Sequence, residues 1–324
     1  MVETGFSESR PSCYPVKNSQ WEIVSILLSC RKSEIRKTTA MTTKKEIAAR
    51  IKEIRARLRH HNRMYYIENR PEISDSEYDA MMRQLLELEK AHPDLITRDS
   101  PSQRVGGEPL KAFASVEHAV PMLSLDNTYS KEEVLAFDTR VKKTLGGTGV
   151  PPVNFHGHPA HATEMEYVVE PKVDGVAVSL RYENNVFAQG STRGNGFVGD
   201  DITANLRTIK TIPLRLEKEI IPVLEVRGEV YMPRQAFEKL NEQKEAAGEE
   251  PFANPRNATA GSLKLLDPRI SARRKLDIVV HSLGHVEGVS FNTHFDFLEK
   301  IGERGLKVNQ GYKLCKGIEE VMRY

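Results

Sequence analysis

The fold is decided by a segment at residues 167–192, which reads YVVEPKVDGVAVSLRYENNVFAQGST. Its β-branched and apolar runs are typical of strands, and Asn184 with Asn185 forms a turn between two of them. Similar runs recur later in the chain. Strands are therefore predicted at 167–170, 176–182, 186–192, 223–232 and 276–286.

Helices are predicted before these strands and between them. Apolar residues at helical spacing predict some of them, and a serine followed three residues later by glutamate marks the start of others. Helices are predicted at 44 to about 68, from Ser74 to Pro93, from Ser130 to Gly146 and at 234 to about 246. Few strand–helix–strand units occur, so we predict an α+β fold with a small helical subdomain at 41–110 and a mixed, largely antiparallel sheet domain at 111–324.

Composition excludes several classes of protein. The 324 residues carry a net charge of only +2, which excludes a wholly polybasic binder but not a local basic groove. No run approaches the roughly 20 apolar residues of a membrane helix. Three widely separated cysteines exclude a disulfide scaffold and a four-cysteine zinc site within the chain, so a reducing, intracellular setting is expected.

The first part of the chain differs from the rest. Residues 1–40 lack a sustained hydrophobic period and are predicted to be a disordered extension, with Met41 as an alternative start.

Two motifs suggest other functions. Residues 194–199, GNGFVG, fit the G-x-G-x-x-G fingerprint of Rossmann dinucleotide sites, but the preceding strand belongs to a hairpin and Asp200 and Asp201 would repel a pyrophosphate. We favour a glycine-rich turn. His156, His158 and His161 suggest a metal site, but they lie in a stretch of loop composition at 146–166, which we predict to be a flexible insertion.

Glu170, Lys172 and Asp174 are the residues most indicative of chemistry. In an extended chain they would share one face, and three unpaired charges would be costly to bury. They therefore form either a solvated edge or the lining of a polar pocket. A lysine amine is a nucleophile only when neutral; nearby carboxylates oppose loss of its proton and a bound cation favours it. A phosphorus electrophile fits best, because a P–N bond is reactive enough to pass its group onward.

The segment Lys172-Val173-Asp174-Gly175 resembles the K-x-D-G motif of the nucleotidyltransferases that include DNA ligases and capping enzymes. From about residue 47 onward the chain is similar to bacterial NAD-dependent DNA ligases, apart from the 146–166 insertion. The segments that carry this resemblance, in family order, are PEISDSEYD (71–79), HP (92–93), PMLSLDN (121–127), TRG (192–194), EVRGEV (225–230) and FANPRN (252–257).

The resemblance implies a nucleotidyltransferase (ATP-grasp-like ligase) domain at 111–324 and roles for its residues. Lys172 would be the adenylated nucleophile, and Asp174 would orient it or help to hold a metal. Glu170 would accept a proton from the adenine edge, Arg193 would lie near the ribose and phosphate, and Glu229 would accept a ribose hydroxyl. The other implied contacts are Ser124 and Leu125 on the adenosine side, and Arg256 and Lys264 on DNA phosphates.

In the same family the helical subdomain, here 41–110, grips the nicotinamide mononucleotide (NMN) half of NAD. Tyr65 falls at one contact position, and the residues that match the D-x-E-Y-D contact segment are Asp75, Ser76, Glu77, Tyr78 and Asp79. The implied reaction forms lysyl-AMP from NAD, transfers AMP to the 5′-phosphate of a nick and seals it with the 3′-hydroxyl. It serves DNA replication and repair.

The resemblance also implies cofactors and partners: NAD, Mg²⁺ (or Mn²⁺) without assigned protein ligands, nicked double-stranded DNA, a monomeric state, no membrane and the nucleoid-associated cytoplasm of a bacterium. The chain ends at Tyr324, before the family's D-G-x-V-x-K strand, second lysine, OB-fold, zinc finger, helix-hairpin-helix repeats and BRCT domain. Zinc is expected only in that missing part. We therefore expect an incomplete adenylation domain with weak or no activity alone.

Three alternatives stay open at this point. One is an ATP- or GTP-using relative that shares the K-x-D-G motif, although the D-x-E-Y-D unit would then have no NMN to grip. Another is a Rossmann oxidoreductase, which would transfer hydride without cleaving NAD. The last is a non-catalytic nucleic-acid-binding module. Its phosphate contacts would come from the basic cluster Arg269, Arg273, Arg274 and Lys275.

Overall fold

A computed structural model describes residues 43–68, 70–104, 111–146 and 165–324. The predictions for residues 1–40 and for the histidine-containing stretch at 147–164 lie outside the described residues. Contacts divide the chain into a unit at 1–50, described only from Thr43, and a unit at 51–324. In the first unit Thr43 and Glu46 form a reciprocal cap, with Glu46 Oε2 2.7 Å from the Thr43 amide.

The helices agree with the predicted pattern and add to it. The capping box predicted at Ser74 is confirmed, because the Glu77 amide donates to the Ser74 hydroxyl and the Ser74 amide donates to Glu77 Oε2 at 2.9 Å. The α-helices are α1 (Lys44–Tyr66), α2 (Asp75–Ala91), α3 (Lys131–Gly146), α4 (Thr203–Arg207), α5 (Arg234–Ala246), α6 (Pro255–Leu263), α7 (Pro268–Ser271), α8 (His294–Glu303) and α9 (Gly317–Val321). Short 3₁₀ helices lie at Pro93–Leu95, Pro101–Gln103 and Ala272–Arg274.

The strands form three sheets in the described part of the chain. They are β1 (Ser115–Glu117), β2 (Glu166–Val169), β3 (Val176–Glu183), β4 (Val186–Thr192), β5 (Val198–Asp200), β6 (Val223–Tyr231), β7 (Asp277–Glu287) and β8 (Lys313–Lys316). The central sheet has the order β4-β3-β6-β7, and β1 pairs with β5 and β2 with β8. Every one of these pairings is antiparallel, which confirms the predicted α+β class.

The central sheet has one apolar face and one polar face. Val178, Leu180, Val226 and Val230 are buried in the core, which also contains Phe297 from α8. The alternate residues of β3 and β6 point away from this core, because successive side chains of a strand face opposite ways. They include Ser179, Arg181, Arg227 and Glu229.

A buried polar network joins the helices to the sheet domain. Arg55 of α1 donates to Glu89 of α2 at 2.9 Å and to the carbonyl of Leu95 at 2.8 Å. Arg104 donates to the carbonyls of Arg207 and Ile209 at 3.2 and 3.0 Å, and burial lowers its pKa to about 10. These contacts place the α1–α2 pair beside the segment that follows α4.

Candidate active site

The shared strand face predicted for Glu170, Lys172 and Asp174 is wrong. Residues 170–175 form a loop between β2 and β3, which belong to different sheets. Pro171 lacks an amide hydrogen and cannot continue a ladder. Side chains from this loop therefore diverge. Glu170 bonds to His294 of α8, whereas Asp174 lies 3.1 Å from Arg256 of α6 and is 76% exposed.

Gly175 presses this loop against β6. A Cβ atom at Gly175 would lie 2.1 Å from the carbonyl oxygen of Val230, so no other residue fits without displacing the backbone. The Gly175 amide donates to Glu229 Oε1 at 3.1 Å. The glycine of the K-x-D-G motif thus brings the Lys172 loop onto the Glu229 carboxylate.

Glu229 lies among cations in a half-buried position. Burial raises the pKa of Glu229, and the charges of Lys172 and then Arg256 oppose that rise. Both cations are therefore close enough to act on this carboxylate, while Lys172 itself is exposed. An exposed amine next to a half-buried carboxylate leaves room for a ligand phosphate at Lys172.

Glu170 lies at the start of the same loop, and we call the region around Lys172, Glu170 and Glu229 the Lys172 cleft. Its Oε1 accepts a hydrogen bond from His294 Nε2 at 2.6 Å, whereas its Oε2 is buried with no partner among the described residues. Burial lowers the pKa of His281; the charge of Glu170 opposes this shift, and His294 and Lys172 add to it. His281 on β7 and His294 on α8 therefore face Glu170, and sequence analysis missed both.

The glycine fingerprint at 194–199 forms a turn at 194–197, as favoured above, and then enters β5 at Val198. Gly194 has φ +55°, and a Cβ there would lie 1.8 Å from the Val198 carbonyl oxygen. The Gly196 carbonyl accepts from the Met122 amide at 2.8 Å. The turn thereby holds the 121–127 loop beside Arg193, whose guanidinium lies 3.3 Å from the Ser124 hydroxyl.

Leu125, Arg256 and Lys264, which the resemblance assigns to ligand contacts, are exposed side chains. Leu125 is 84% exposed on the 121–127 loop. Lys264 lies 3.0 Å from Asp200, and Arg256 bridges Asp174 at 3.1 Å, each with more than half of its side chain exposed. These exposed cations can exchange a carboxylate partner for a phosphate.

A separate cavity of about 350 Å³ lies between the end of α1 and the start of α2. Burial raises the pKa of both Tyr66 and Tyr78. Lys210, which sequence analysis missed, reaches this cavity from the sheet domain, and burial lowers its pKa. The lining residues are His61, Asn62, Tyr65, Tyr66, Pro71, Glu72, Ile73, Ser74, Asp75, Tyr78, Asp79 and Lys210.

Five residues of the D-x-E-Y-D segment were predicted to bind NMN, and the structure gives them different surroundings. Asp75, Tyr78 and Asp79 line the cavity. Glu77 is not among the lining residues, because its carboxylate caps α2 through Ser74. Ser76 is also outside the lining, with its hydroxyl 3.0 Å from that of Ser74.

One group of three metal-capable side chains lies in the described part of the chain, at His60, His61 and Glu72. His60 Nε2 and Glu72 Oε2 are 2.6 Å apart. Two ligands at about 2.0–2.1 Å from a tetrahedral ion would be roughly 3.3 Å apart. The pair is therefore a direct hydrogen bond, which ties α1 to the 70–74 segment at the wall of the cavity.

Comparisons with known proteins identify the family of this chain. The family model described as the NAD-dependent DNA ligase adenylation domain matches residues 110–324, and the DNA ligase-like N-terminal NAD⁺-binding domain matches residues 44–106. A DNA ligase from Acetivibrio thermocellus is 52% identical over 276 residues, covering 85% of this chain and 39% of that protein. One from Geobacter sulfurreducens is 50% identical over 282 residues, covering 87% and 40%.

This chain thus spans about two fifths of the length of the curated relatives that it matches. Among its described residues no helix has the length and apolar character needed to cross a membrane. The predicted resemblance is confirmed, and the Rossmann alternative is excluded by the family match and by the antiparallel hairpin before the glycine turn. With both domain models matched in order and DNA ligases 50–52% identical over 85–87% of its length, the chain belongs to the NAD-dependent DNA ligase family.

Proposed function

We propose that this chain takes adenylate from NAD onto Lys172, as the first step of nick sealing by an NAD-dependent DNA ligase. The observation that carries the proposal is the contact of the Gly175 amide with Glu229, because it places the Lys172 loop against a carboxylate whose pKa responds to Lys172. The family match supports NAD as the donor.

In the proposed reaction the lone pair of Lys172 Nζ attacks the α-phosphorus of NAD. A P–N bond forms, the P–O bond to NMN breaks, NMN leaves with that electron pair, and the proton that the amine loses passes to solvent. Glu229 accepts a ribose hydroxyl, Glu170 accepts the adenine amino group, and Arg193 donates to the phosphate. Ser124 and Leu125 cover the adenosine. Positioning and charge neutralisation dominate phosphoryl transfer.

The cavity at α1 and α2 takes the NMN half in this proposal. Its size, three tyrosines and three carboxylates suit an aromatic base and a ribose, and Lys210 supplies a cation for the phosphate. Asp75, Tyr78 and Asp79 make the contacts, whereas Ser76 and Glu77 act through the cap of α2. Tyr65, 48% exposed at the rim, is available to stack on the ligand.

The residues at Lys172 also suit Mg²⁺. Asp174 offers exposed carboxylate oxygens, and Mg²⁺ commonly binds through one or two carboxylates together with substrate phosphates. Such an ion would supply charge neutralisation at the phosphates. Asp174 is the residue that would hold it, because Glu229 is assigned to the ribose. Mg²⁺ or Mn²⁺ thus stays part of the proposal.

Later steps follow the family pattern. We propose that AMP passes from Lys172 to the 5′-phosphate of nicked double-stranded DNA and that Arg256 and Lys264 contact DNA phosphates, since both are exposed beside the cleft. A monomeric state and a bacterial cytoplasmic location remain predictions of the resemblance.

The test is incubation with NAD labelled in the adenylate phosphate and Mg²⁺, followed by a denaturing gel. We expect weak label on the unchanged chain, in line with the low activity expected from the resemblance, and none on Lys172→Ala. Lys142→Ala is the control, because Lys142 is an exposed lysine paired with Asp138 at 2.9 Å on α3. Labelled ATP should give no product. Labelling from ATP, or equal labelling of Lys172→Ala, would contradict the proposal.

A further inference from the structure

The two carboxylate oxygens of Glu170 have different surroundings. Oε1 accepts from His294 Nε2 at 2.6 Å, and Oε2 is buried without a partner among the described residues. The side chain is only 19% exposed. Buried carboxylate oxygens need a donor, and His294 leaves one acceptor position open for a ligand N–H.

His294 is itself held in place. It is the first residue of α8, where the Thr293 hydroxyl caps the helix by accepting from the Asp296 amide at 3.0 Å. Its ring stacks on Phe297 at 5.9 Å between centroids, with 23° between the planes. Phe297 is buried in the core. A fixed imidazole therefore fixes the rotation of the Glu170 carboxylate.

We propose that His294 is a positioning residue that makes Glu170 selective for a 6-aminopurine. This inference rests on the proposed function, in which Glu170 faces the adenine edge. Adenine would donate its amino N–H to Oε2, whereas hypoxanthine would present a carbonyl oxygen to the same carboxylate. Because Oε1 is bonded to His294, Glu170 cannot turn away from that unfavourable contact.

The test measures binding of AMP and IMP by calorimetry, on chain whose Lys172 is shown to be unmodified by mass spectrometry. Unchanged chain should bind AMP at least about tenfold more tightly than IMP, since a hydrogen bond to a charged group has that effect. His294→Leu should weaken AMP binding about tenfold and leave IMP binding nearly unchanged. The AMP-to-IMP ratio should then approach one.

His294→Gln should restore much of the ratio, because its amide N–H can still donate to Glu170. If His294→Leu does not fold, His294→Asn replaces it, since its shorter amide falls short of the carboxylate. The matched control is His285→Leu on β7, which removes another histidine–glutamate pair, at 3.1 Å from Glu287. The His285→Leu variant should have the same AMP-to-IMP affinity ratio as the unchanged chain.

Two results separate this inference from the proposed function. An equal loss of AMP and IMP binding in His294→Leu, an unchanged ratio, or no recovery in His294→Gln overturns the role of His294 alone. A failure of the unchanged chain to bind AMP removes the nucleotide site, and the proposed function and this inference fall together.

Discussion

The two proposed halves of the NAD site are built in contrasting ways. The cavity at α1 and α2 is lined by residues 61–79 together with Lys210. The cleft at Lys172 takes Ser124, Arg193, Glu229 and His294 from four separate parts of the chain. Neighbouring residues of one helix–loop–helix segment supply most of the first, with Lys210 added from the sheet domain, whereas the second depends on sheet register and loop contacts. Substitutions should therefore affect the two halves differently.

The largest effect is expected from Gly175→Ala. The added Cβ would overlap the Val230 carbonyl, moving the Lys172 loop away from Glu229. We expect adenylate transfer to fall at least about 100-fold, and unfolding free energy to fall by about 1–3 kcal/mol, as for other overpacked sites. Labelling with NAD and urea denaturation measure the two effects.

Gly302→Ala is the matched control for this change. Gly302 lies in α8, and a Cβ there would make only an ordinary contact, 3.5 Å from Val308. Alanine favours a helix over glycine by up to about 1 kcal/mol, so stability should hold or rise and labelling should persist. Normal labelling by Gly175→Ala would show that the tight contact does not position the loop.

A smaller effect is expected in the cavity. Asp75→Asn keeps the side-chain volume and removes one charge from the lining. We expect the KM for NAD to rise about tenfold, because a charged hydrogen-bond acceptor of the NMN half is lost, while AMP affinity stays unchanged. The dependence of the initial labelling rate on NAD concentration, together with AMP calorimetry, distinguishes the two halves of the site.

Glu87→Gln, on the exposed side of α2, is the control for Asp75→Asn and should change neither measurement. A parallel loss of AMP affinity in Asp75→Asn would mean that the cavity and the cleft do not bind separate halves of NAD.

Glu229→Gln should separate activity from stability. Burial raises the pKa of Glu229, so the folded chain holds this proton more tightly than the unfolded chain. The ordinary pKa of a glutamate is 4.5, and the pKa of Glu229 in the folded chain is higher. As the pH rises through this range, ionisation of Glu229 therefore lowers the free energy of unfolding. The variant should gain stability relative to the unchanged chain at pH 7 but not at pH 4, and adenylate transfer should fall about tenfold.

Urea denaturation at the two pH values tests this, with the exposed Glu250→Gln as the control that should show no pH-dependent difference. If Glu229→Gln gains more stability at pH 4 than at pH 7, the pKa of Glu229 is lowered rather than raised by folding, and the prediction is wrong.

The smallest effect is expected at the start of α2. Ser74→Ala removes the hydroxyl that caps the helix and should lower unfolding free energy by about 1 kcal/mol. Glu77→Ala should act in the same direction and leave the KM for NAD nearly unchanged, because Glu77 lies outside the cavity lining. A tenfold rise in KM for Glu77→Ala would instead indicate direct NMN contact.

Local signals allowed much of the fold to be predicted. The Ser74–Glu77 capping box and the Asn184–Asn185 turn each act within a few residues, and the helix and hairpin that they predict are present. The helices α6 and α8 were missed although Asn254 before Pro255 and Thr293 before Asp296 are ordinary helix starts. The strand β1 was missed because three residues carry too little periodicity.

Sequence alone determined the family, most of the longer strands and helices and the identity of Lys172 as the nucleophile to test, because these depend on local patterns and on motif order. Only the tertiary structure decided which groups meet Lys172. Residues 170–175 are a loop rather than a strand, so Glu170 faces His294 while Asp174 faces Arg256. Such contacts depend on close approach between distant segments, as at Gly175 and Val230, and strand or helix periodicity does not encode them.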